Sequence, residues 1–330
     1  MLIFGPVPSR RLGQSLGINN IPPKSCSYSC VYCQVGPTSQ TEIAPRTFYA
    51  PERVVQEVER HLARLRARGE RVDYLTFVPD GEPTLDARLG DTIERLRPLG
   101  IPIAVISNGS LLFRAAVRES LCKADWVSVK IDAIETDVWR LVNRPHPDLD
   151  HAEMLEGVLA FAARYRGTLA TETMLVAGIN DGDANAEAVG RFIARLAPPC
   201  AYLSVPIRPP AEPGVTPPDA DRLNRFFQIV RGHTERLELL SGYEGDAFAS
   251  TGNLADDLLA IAAVHPLRES AVQALVERSG GAWAVVERLV ADRLLVATEF
   301  GGHRFYVRGL HRDPAPGRGA RIGHAQADTD

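Results

Sequence analysis

Apolar runs too short to be helices alternate along the chain with longer segments whose apolar residues recur every three or four positions. The runs at 17–21, 74–78, 103–107, 126–132, 168–176 and 201–205 are apolar nearly throughout, as parallel strands covered on both faces are. Between the first two, residues 51–68 open on Pro51, carry Val54, Val55, Val58, Leu62 and Leu65 at helical spacing, and stop at Gly69. That pattern predicts a helix with legible start and stop signals. Segments 86–96, 115–122, 150–165, 183–196 and 219–230 read as further helices. Six strand–helix units in series make an α/β protein and predict a partial (β/α)6 TIM-like barrel. A doubly wound open sheet has the same alternation, and periodicity alone does not separate the two.

The pattern changes after position 240. A Gly-rich polar linker at 241–253 leads to three short helical segments, 254–263, 269–278 and 282–293. A hairpin, 294–298 and 303–307 about Gly301-Gly302, closes the set. Three helices and a two-stranded wing predict a small C-terminal winged helix-turn-helix domain over 254–312, behind a barrel of 1–240. Residues 313–330, rich in Pro, Gly, Ala and Asp, have little to bury and are expected to form a disordered tail.

Composition narrows the function only slightly. With 45% hydrophobic and 24% charged residues over 330 positions, the chain can bury a sizeable core. A net charge of −4 gives no global attraction to nucleic acid or to an anionic membrane. Residues 255–312 carry seven Arg and seven Asp or Glu, which makes the C-terminal unit a poor reader of DNA, since phosphate neutralisation dominates such binding. Neither a signal peptide nor an ~18-residue apolar span is legible, so a cytoplasmic protein is expected. Lys24, Lys123 and Lys130 are the only lysines, and a lysine within a strand therefore draws notice.

Three of the five cysteines fall within eight residues, Cys26-Ser-Tyr-Ser-Cys30-Val-Tyr32-Cys33. A disulfide framework needs an even set in a short secreted chain. Thiolates at this spacing suit an iron–sulfur cluster or zinc. A structural zinc site needs a fourth ligand, but Cys122 and Cys200 are remote in sequence and no His lies within twenty-five residues of the motif. Three thiolates on a four-iron cluster leave one iron open to a ligand.

With Tyr32 ahead of its last cysteine, this C-x3-C-x-aromatic-C segment resembles the signature of radical S-adenosylmethionine (SAM) enzymes. The resemblance implies a [4Fe-4S] cluster on Cys26, Cys30 and Cys33. Its open iron chelates the amine and carboxylate of SAM, and one-electron reduction cleaves the sulfonium to a 5′-deoxyadenosyl radical. Gly81-Glu82-Pro83 after the second strand looks like the family's segment for the SAM ammonium, and Ser107-Asn108 after the third like the segment that meets the ribose or carboxylate. Residues 174–180, with Val176 and Asn180, are similar to the segment that packs on the adenine. Alternation sends Ser128, Lys130 and Asp132 to one strand face, the barrel interior, where an unpaired charge is costly. Either Lys130 and Asp132 form a structural ion pair or they contact SAM or substrate and serve catalysis.

Two segments narrow the likeness to the group of wyosine-synthase-like Fe–S oxidoreductases. One runs from Gly5 to Gly13 with Arg10 and Arg11, and the other follows the sixth strand with Arg208. These arginines are expected to clamp an anionic substrate or the SAM carboxylate. The chain lacks the second cysteine set of wyosine synthases, so SAM cleavage is carried over from the resemblance and the tRNA reaction is not.

The reading is thus a radical SAM enzyme abstracting hydrogen from a nucleobase or other small polar substrate. It is reduced by a flavodoxin- or ferredoxin-like one-electron donor, has no membrane partner, and meets nucleic acid only as a substrate. A peptide-modifying enzyme with the C-terminal unit as docking module, and an Fe–S redox-sensing regulator, are the rivals.

Overall fold

The computed structural model describes residues 2–242 and 245–309. The tail expected at 313–330, and the last three residues of the unit expected to end at 312, lie outside the described residues. Ile3–Ser9 (β1) and Gly13–Ile18 (β2) form an antiparallel hairpin. Tyr74–Phe77 (β3), Ile103–Ser107 (β4), Trp126–Lys130 (β5), Thr168–Met174 (β6), Cys200–Ser204 (β7) and Leu237–Leu240 (β8) then add in sequence order. Each of these six lies parallel to the strand before it. Crossovers run through Pro51–Ala67 (α1), Leu89–Leu96 (α2), Ala115–Leu121 (α3), Thr136–Asn143 (α4), His151–Arg164 (α5), Asp183–Leu196 (α6) and Ala220–Arg231 (α7). A doubly wound sheet reverses its strand order at a switch point. Here the order never reverses, and the fold is a partial TIM-like barrel.

Two strands beyond the six expected belong to this sheet. β1 carries Gly5, Pro6 and Pro8, which read as punctuation, yet an edge strand tolerates missing N–H donors. β8 is four residues long at the opposite edge. The strand expected at 17–21 begins four residues earlier and ends at Ile18. The helix expected from 86 begins at Leu89, behind a single 3-10 turn, Pro83–Leu85. Helix α4 is an element that periodicity did not disclose.

Alternation along the strands sorts the side chains into two layers. Leu16, Ile18, Leu75, Phe77, Val105 and Val127 point outward and are wholly buried under the helices. Each such side chain contributes about 1.5–3 kcal/mol by leaving water. Inside, Leu12, Ala104, Trp126, Ala170, Tyr202 and Leu240 cluster and fill the lower end of the barrel. Toward the strand C-termini the interior turns polar, with Lys130, Glu172 and Ser204, which is where barrel enzymes place their chemistry.

The C-terminal elements follow the order Leu254–Val264 (α8), Leu267–Arg268 (β9), Glu269–Ser279 (α9), Ala284–Ala291 (α10), Leu295–Phe300 (β10) and His303–Arg308 (β11). Their sheet has the order β10-β11-β9 and is antiparallel throughout. The unit has its own core, around Leu258, Ile261, Leu267, Val272 and Leu275. It is also fastened to the barrel. Ala260 and Val264 of α8 pack on Phe4 of β1. A Cβ on Gly17 would lie 2.0 Å from the Phe4 ring, so only glycine at 17 lets that ring sit across β2. Arg278 pairs with Glu70 after α1 at 3.4 Å, and the Gln34 amide donates to the Val264 carbonyl at 2.8 Å.

Candidate active site

The loop that follows β2 carries the three clustered cysteines, and backbone hydrogen bonds fix its path. Lys24 N–H donates to the Asp80 carbonyl at 2.7 Å, and Glu82 N–H donates to the Ser25 carbonyl at 2.9 Å. A Cβ on Gly81 would meet the Ser25 carbonyl oxygen at 2.0 Å, so glycine is required where the two loops touch. The segment with Cys26 is thereby held against the Asp80–Pro83 turn at the C-terminal end of β3.

Two asparagine amides approach the thiols, one from a strand end and one from a helix end. Asn108, after β4, places its Nδ2 3.7 Å from Cys26 Sγ and also donates to Ser27 Oγ at 2.9 Å. Asn143, the last residue of α4, places its Nδ2 3.4 Å from Cys30 Sγ. As free thiols all three cysteines are pushed toward the protonated form, chiefly by burial. Cys30 is pushed up to about 12, with Asp132 adding to burial. Lys24 and Lys130 act in the opposite sense on Cys33.

Glu82 is buried and its carboxylate is heavily committed. Thr84 N–H, Thr84 Oγ1 and Ser107 Oγ donate to Oε1 at 3.1, 2.6 and 2.7 Å, and Asn108 N–H donates to Oε2 at 2.7 Å. It ties the β3 turn to the β4 turn. The neighbouring Asp80 differs, since its buried Oδ1 accepts no hydrogen bond and faces Lys24 Nζ at 4.0 Å. Burial pushes its carboxyl up to about 7, with Lys24 opposing.

On the other side of the mouth, Asp132 gathers several elements. Its Oδ1 accepts Met174 N–H at 2.8 Å, and its Oδ2 accepts Asn143 Nδ2 at 2.7 Å and the Tyr32 hydroxyl. Lys130 Nζ stands 3.8 Å from Asp132, 3.2 Å from Glu172, and 5.1 Å from the Tyr32 ring centroid. Arg11 pairs with Glu172 from below. Burial alone would lower the Lys130 ammonium, but Asp132 and Glu172 outweigh it and hold it above its usual range. Burial alone would raise Glu172, but Lys130 and Arg11 hold its carboxyl well below the usual range. Lys130 is thus held as a cation between two carboxylates. Asn180 is occupied as scaffold: it accepts Val176 N–H at 2.8 Å and donates to the Asp132 and Met174 carbonyls at 2.9 and 2.8 Å. Val176 packs with Val31, Val142 and Val215, beside Tyr32.

This arrangement of cysteine loop, glycine turn and polar strand ends coincides with a family match. The model of the radical SAM superfamily covers residues 20–188, more than half of the chain. The chain belongs to the radical SAM superfamily. Over 311 residues it is 42% identical to the UPF0026 protein MJ1312 of Methanocaldococcus jannaschii, covering 94% of this chain and 96% of that protein. A more distant likeness, 26% identical over 163 residues, is to the S-adenosylmethionine-dependent nucleotide dehydratase of Flammeovirga pacifica, covering 47% of this chain and 54% of that one. Among solved structures, a radical SAM methyltransferase from Sphaerobacter thermophilus superposes with a TM-score of 0.52 at 20% identity, over 69% of this chain and 66% of its own. TYW1 with a lysine–pyruvate adduct bound gives 0.50 at 16% identity, over 67% and 74%. These two likenesses are of fold.

Members of the superfamily bind a [4Fe-4S] cluster and SAM, and the residues in place fit both. No three His, Cys, Asp or Glu side chains among the described residues close around a single metal ion. A four-iron cluster instead takes each thiolate on its own iron, and amide donors to the sulfurs tune its potential. Asn108 and Asn143 supply such donors. Asp80 Oδ1 accepts no hydrogen bond and has Lys24 Nζ only at 4.0 Å, so it has room to accept one from a cationic ligand such as the SAM ammonium.

The structure brings Cys26, Cys30, Cys33, Tyr32, Gly81–Pro83, Ser107, Asn108, Lys130, Asp132, Val176 and Asn180 to one end of the barrel. It sets Arg10 apart from Arg11 and Arg208, which line one cavity. Arg11 lies inside against Glu172, and Arg208 reaches Gln34 Oε1 at 3.0 Å. Arg10 turns away and donates to the Gly242 carbonyl at 2.9 Å in an exposed position. Sequence reasoning missed Asp80, Asn143 and Glu172. Asp80 stood beside the glycine turn and was legible by proximity, and Glu172 stood in a strand at the even positions that face inward. Asn143 had no local signal.

Proposed function

We propose that this chain is a radical SAM enzyme that abstracts hydrogen from a small polar substrate, a nucleobase or related molecule, held in the barrel interior. Together the reduced cluster and SAM supply a 5′-deoxyadenosyl radical when bound. The chain's own residues hold and insulate that chemistry. Cys26, Cys30 and Cys33 would ligate three irons, Asn108 and Asn143 would donate to the sulfurs, and Asp80 would meet the SAM ammonium. Tyr32 and Val176 would flank the adenosyl group, and the Lys130–Glu172–Arg11 array would form the polar floor beneath it. A flavodoxin- or ferredoxin-like protein of the cytoplasm would deliver the electron.

The observation that carries this reading is the cysteine loop sutured to the Asp80–Pro83 turn at the strand C-termini, above a polar interior. The C-terminal unit, with the helix and strand order of a winged helix, lies against the barrel, which favours a small substrate over a long peptide. The likeness to a protein named as a nucleotide dehydratase points to nucleotides as the first compounds to test. The reconstituted, dithionite-reduced protein should be incubated anaerobically with SAM and with separated small-molecule and macromolecular fractions of a cell extract. Faster 5′-deoxyadenosine formation with the small-molecule fraction is expected. Acceleration by the macromolecular fraction alone would overturn the choice of substrate class.

A further inference from the structure

Gln34 stands next to the cluster ligand Cys33, and its side chain reaches a helix 230 residues further along the chain. The amide nitrogen donates to the Val264 carbonyl at 2.8 Å, and the amide oxygen accepts from Arg208 Nη1 at 3.0 Å. Val264 is the last residue of α8, and the last carbonyls of a helix have no donor within it. The cluster loop thus caps a helix of the C-terminal unit. The bond is part-buried, so water competes for it less than at an open surface.

The same helix end bears on the site at a second place. Ala260 and Val264 pack with Phe4, and Val78 joins that cluster. Val78 follows β3 and stands two residues before Asp80. One end of α8 therefore meets both segments that frame the candidate cofactor site, the cysteine loop and the strand end leading into the Asp80–Pro83 turn. Between them lies an interior cavity of about 110 Å³, with Gln34, Val78, Arg208, Val264 and His265 in its wall. The two ends of the cysteine motif are held differently. Glu42 N–H donates to the Cys26 carbonyl at 2.9 Å, beside the bond from Glu82 N–H to Ser25. The backbone bonds of Cys33 are local, its N–H to the Cys30 carbonyl and its carbonyl from Gly36 N–H, both at 3.1 Å. Cys33 lies instead between two side-chain anchors, Tyr32 on Asp132 and Gln34 on α8.

We infer that Gln34 is a positioning residue for the cluster: through its bond to Val264 it seats the end of α8 on the cysteine loop and holds Cys33 in place. The C-terminal unit is then a working part of the active site, a wall that fixes one cluster ligand and closes the interior cavity. This rests on the reading that Cys33 ligates the cluster.

The test compares the full-length parent with Gln34→Ala and with Gln34→Glu, which keeps an acceptor for Arg208 and loses the donor to Val264. In apoprotein, iodoacetamide alkylation mapped by peptide mass reads each thiol separately. Cys33 should react about five- to tenfold faster in both variants, the effect of losing one hydrogen bond. Cys26 and the exposed Cys122 should react as in the parent. Amide exchange at His265, whose N–H bonds to the Ile261 carbonyl in the last turn of α8, should quicken by a similar factor. In reconstituted, reduced protein, the electron paramagnetic resonance signal of the SAM-bound cluster should differ between parent and both variants. A Gln34→Glu chain that matches the parent in Cys33 reactivity would overturn the inference, because the bond to α8 would then do nothing for the ligand. Equal acceleration at Cys26 and Cys33 would also overturn it, by showing general loosening in place of positioning. A parent chain that assembles no four-iron cluster, or whose signal ignores SAM, would sink the proposed function instead, whatever the apoprotein thiols show.

Discussion

At the scale of single residues, the site separates groups that can meet a ligand from groups already engaged by the protein. Glu82 sits in a motif whose resemblance assigned it to the SAM ammonium, yet four donors already converge on it, and Asp80 beside it carries the orphaned oxygen. Glu82→Ala is expected to leave Thr84, Ser107 and Asn108 donors unpaired in a buried place, at about 1–3 kcal/mol for each group so orphaned. Chemical denaturation should show that loss in apoprotein, where no SAM is present. A variant as stable as its parent would mean that the carboxylate is not the tie between the two turns. Glu172 gives a pH dependence. Its folded-state carboxyl is depressed, so between that value and the unfolded value near 4.5 only the unfolded chain takes up the proton. Stability from Glu172 is thus present above the unfolded value and lost as pH falls through the folded one. Glu172→Gln should flatten the fall in urea midpoint between neutral and acid pH, and Glu172→Leu should cost about 3–5 kcal/mol by stranding two buried cations. Cysteine spacing made the cluster ligands legible in sequence. Asn143 was not, because an asparagine gains its role only when α4 folds back onto the cysteine loop.

At the scale of elements, the parallel strands could be read because continuous apolar runs between amphipathic helices seldom fold as anything else. β1 failed that test for a physical reason. Its prolines and glycine forbid a central strand and permit an edge, and nothing local reveals that an edge is where it lies. Helix α4 was hidden by its brevity, eight residues between two polar connections. The interplay of β1, β2 and α8 is likewise invisible along the chain: Gly17 is small because Phe4 crosses it, and Phe4 is covered because α8 arrives from far downstream. Phe4→Ala should open a cavity at that joint and cost about 3–5 kcal/mol. Gly17→Ala should cost about 1–3 kcal/mol by overpacking. Thermal or urea unfolding of both variants checks the joint, and two neutral substitutions would show that α8 does not rest there.

At the scale of the whole molecule, an open barrel leaves its edge strands and polar interior in need of cover, and the C-terminal unit supplies part of it. Among the described residues no helix is long and apolar enough to cross a membrane. The central claim is that three thiols at 26, 30 and 33 arm this barrel to cleave SAM by one-electron reduction. One measurement addresses it most directly: 5′-deoxyadenosine formed anaerobically from SAM by dithionite-reduced, iron- and sulfide-reconstituted protein, with bound iron counted in the same sample. The parent chain should hold a four-iron cluster and release 5′-deoxyadenosine slowly even without substrate. Cys26→Ala, Cys30→Ala and Cys33→Ala should each lose both properties, and Cys122→Ala and Cys200→Ala should keep both. A parent chain that binds four irons but leaves SAM intact under reduction, or that keeps its cleavage after Cys30→Ala, would contradict the account.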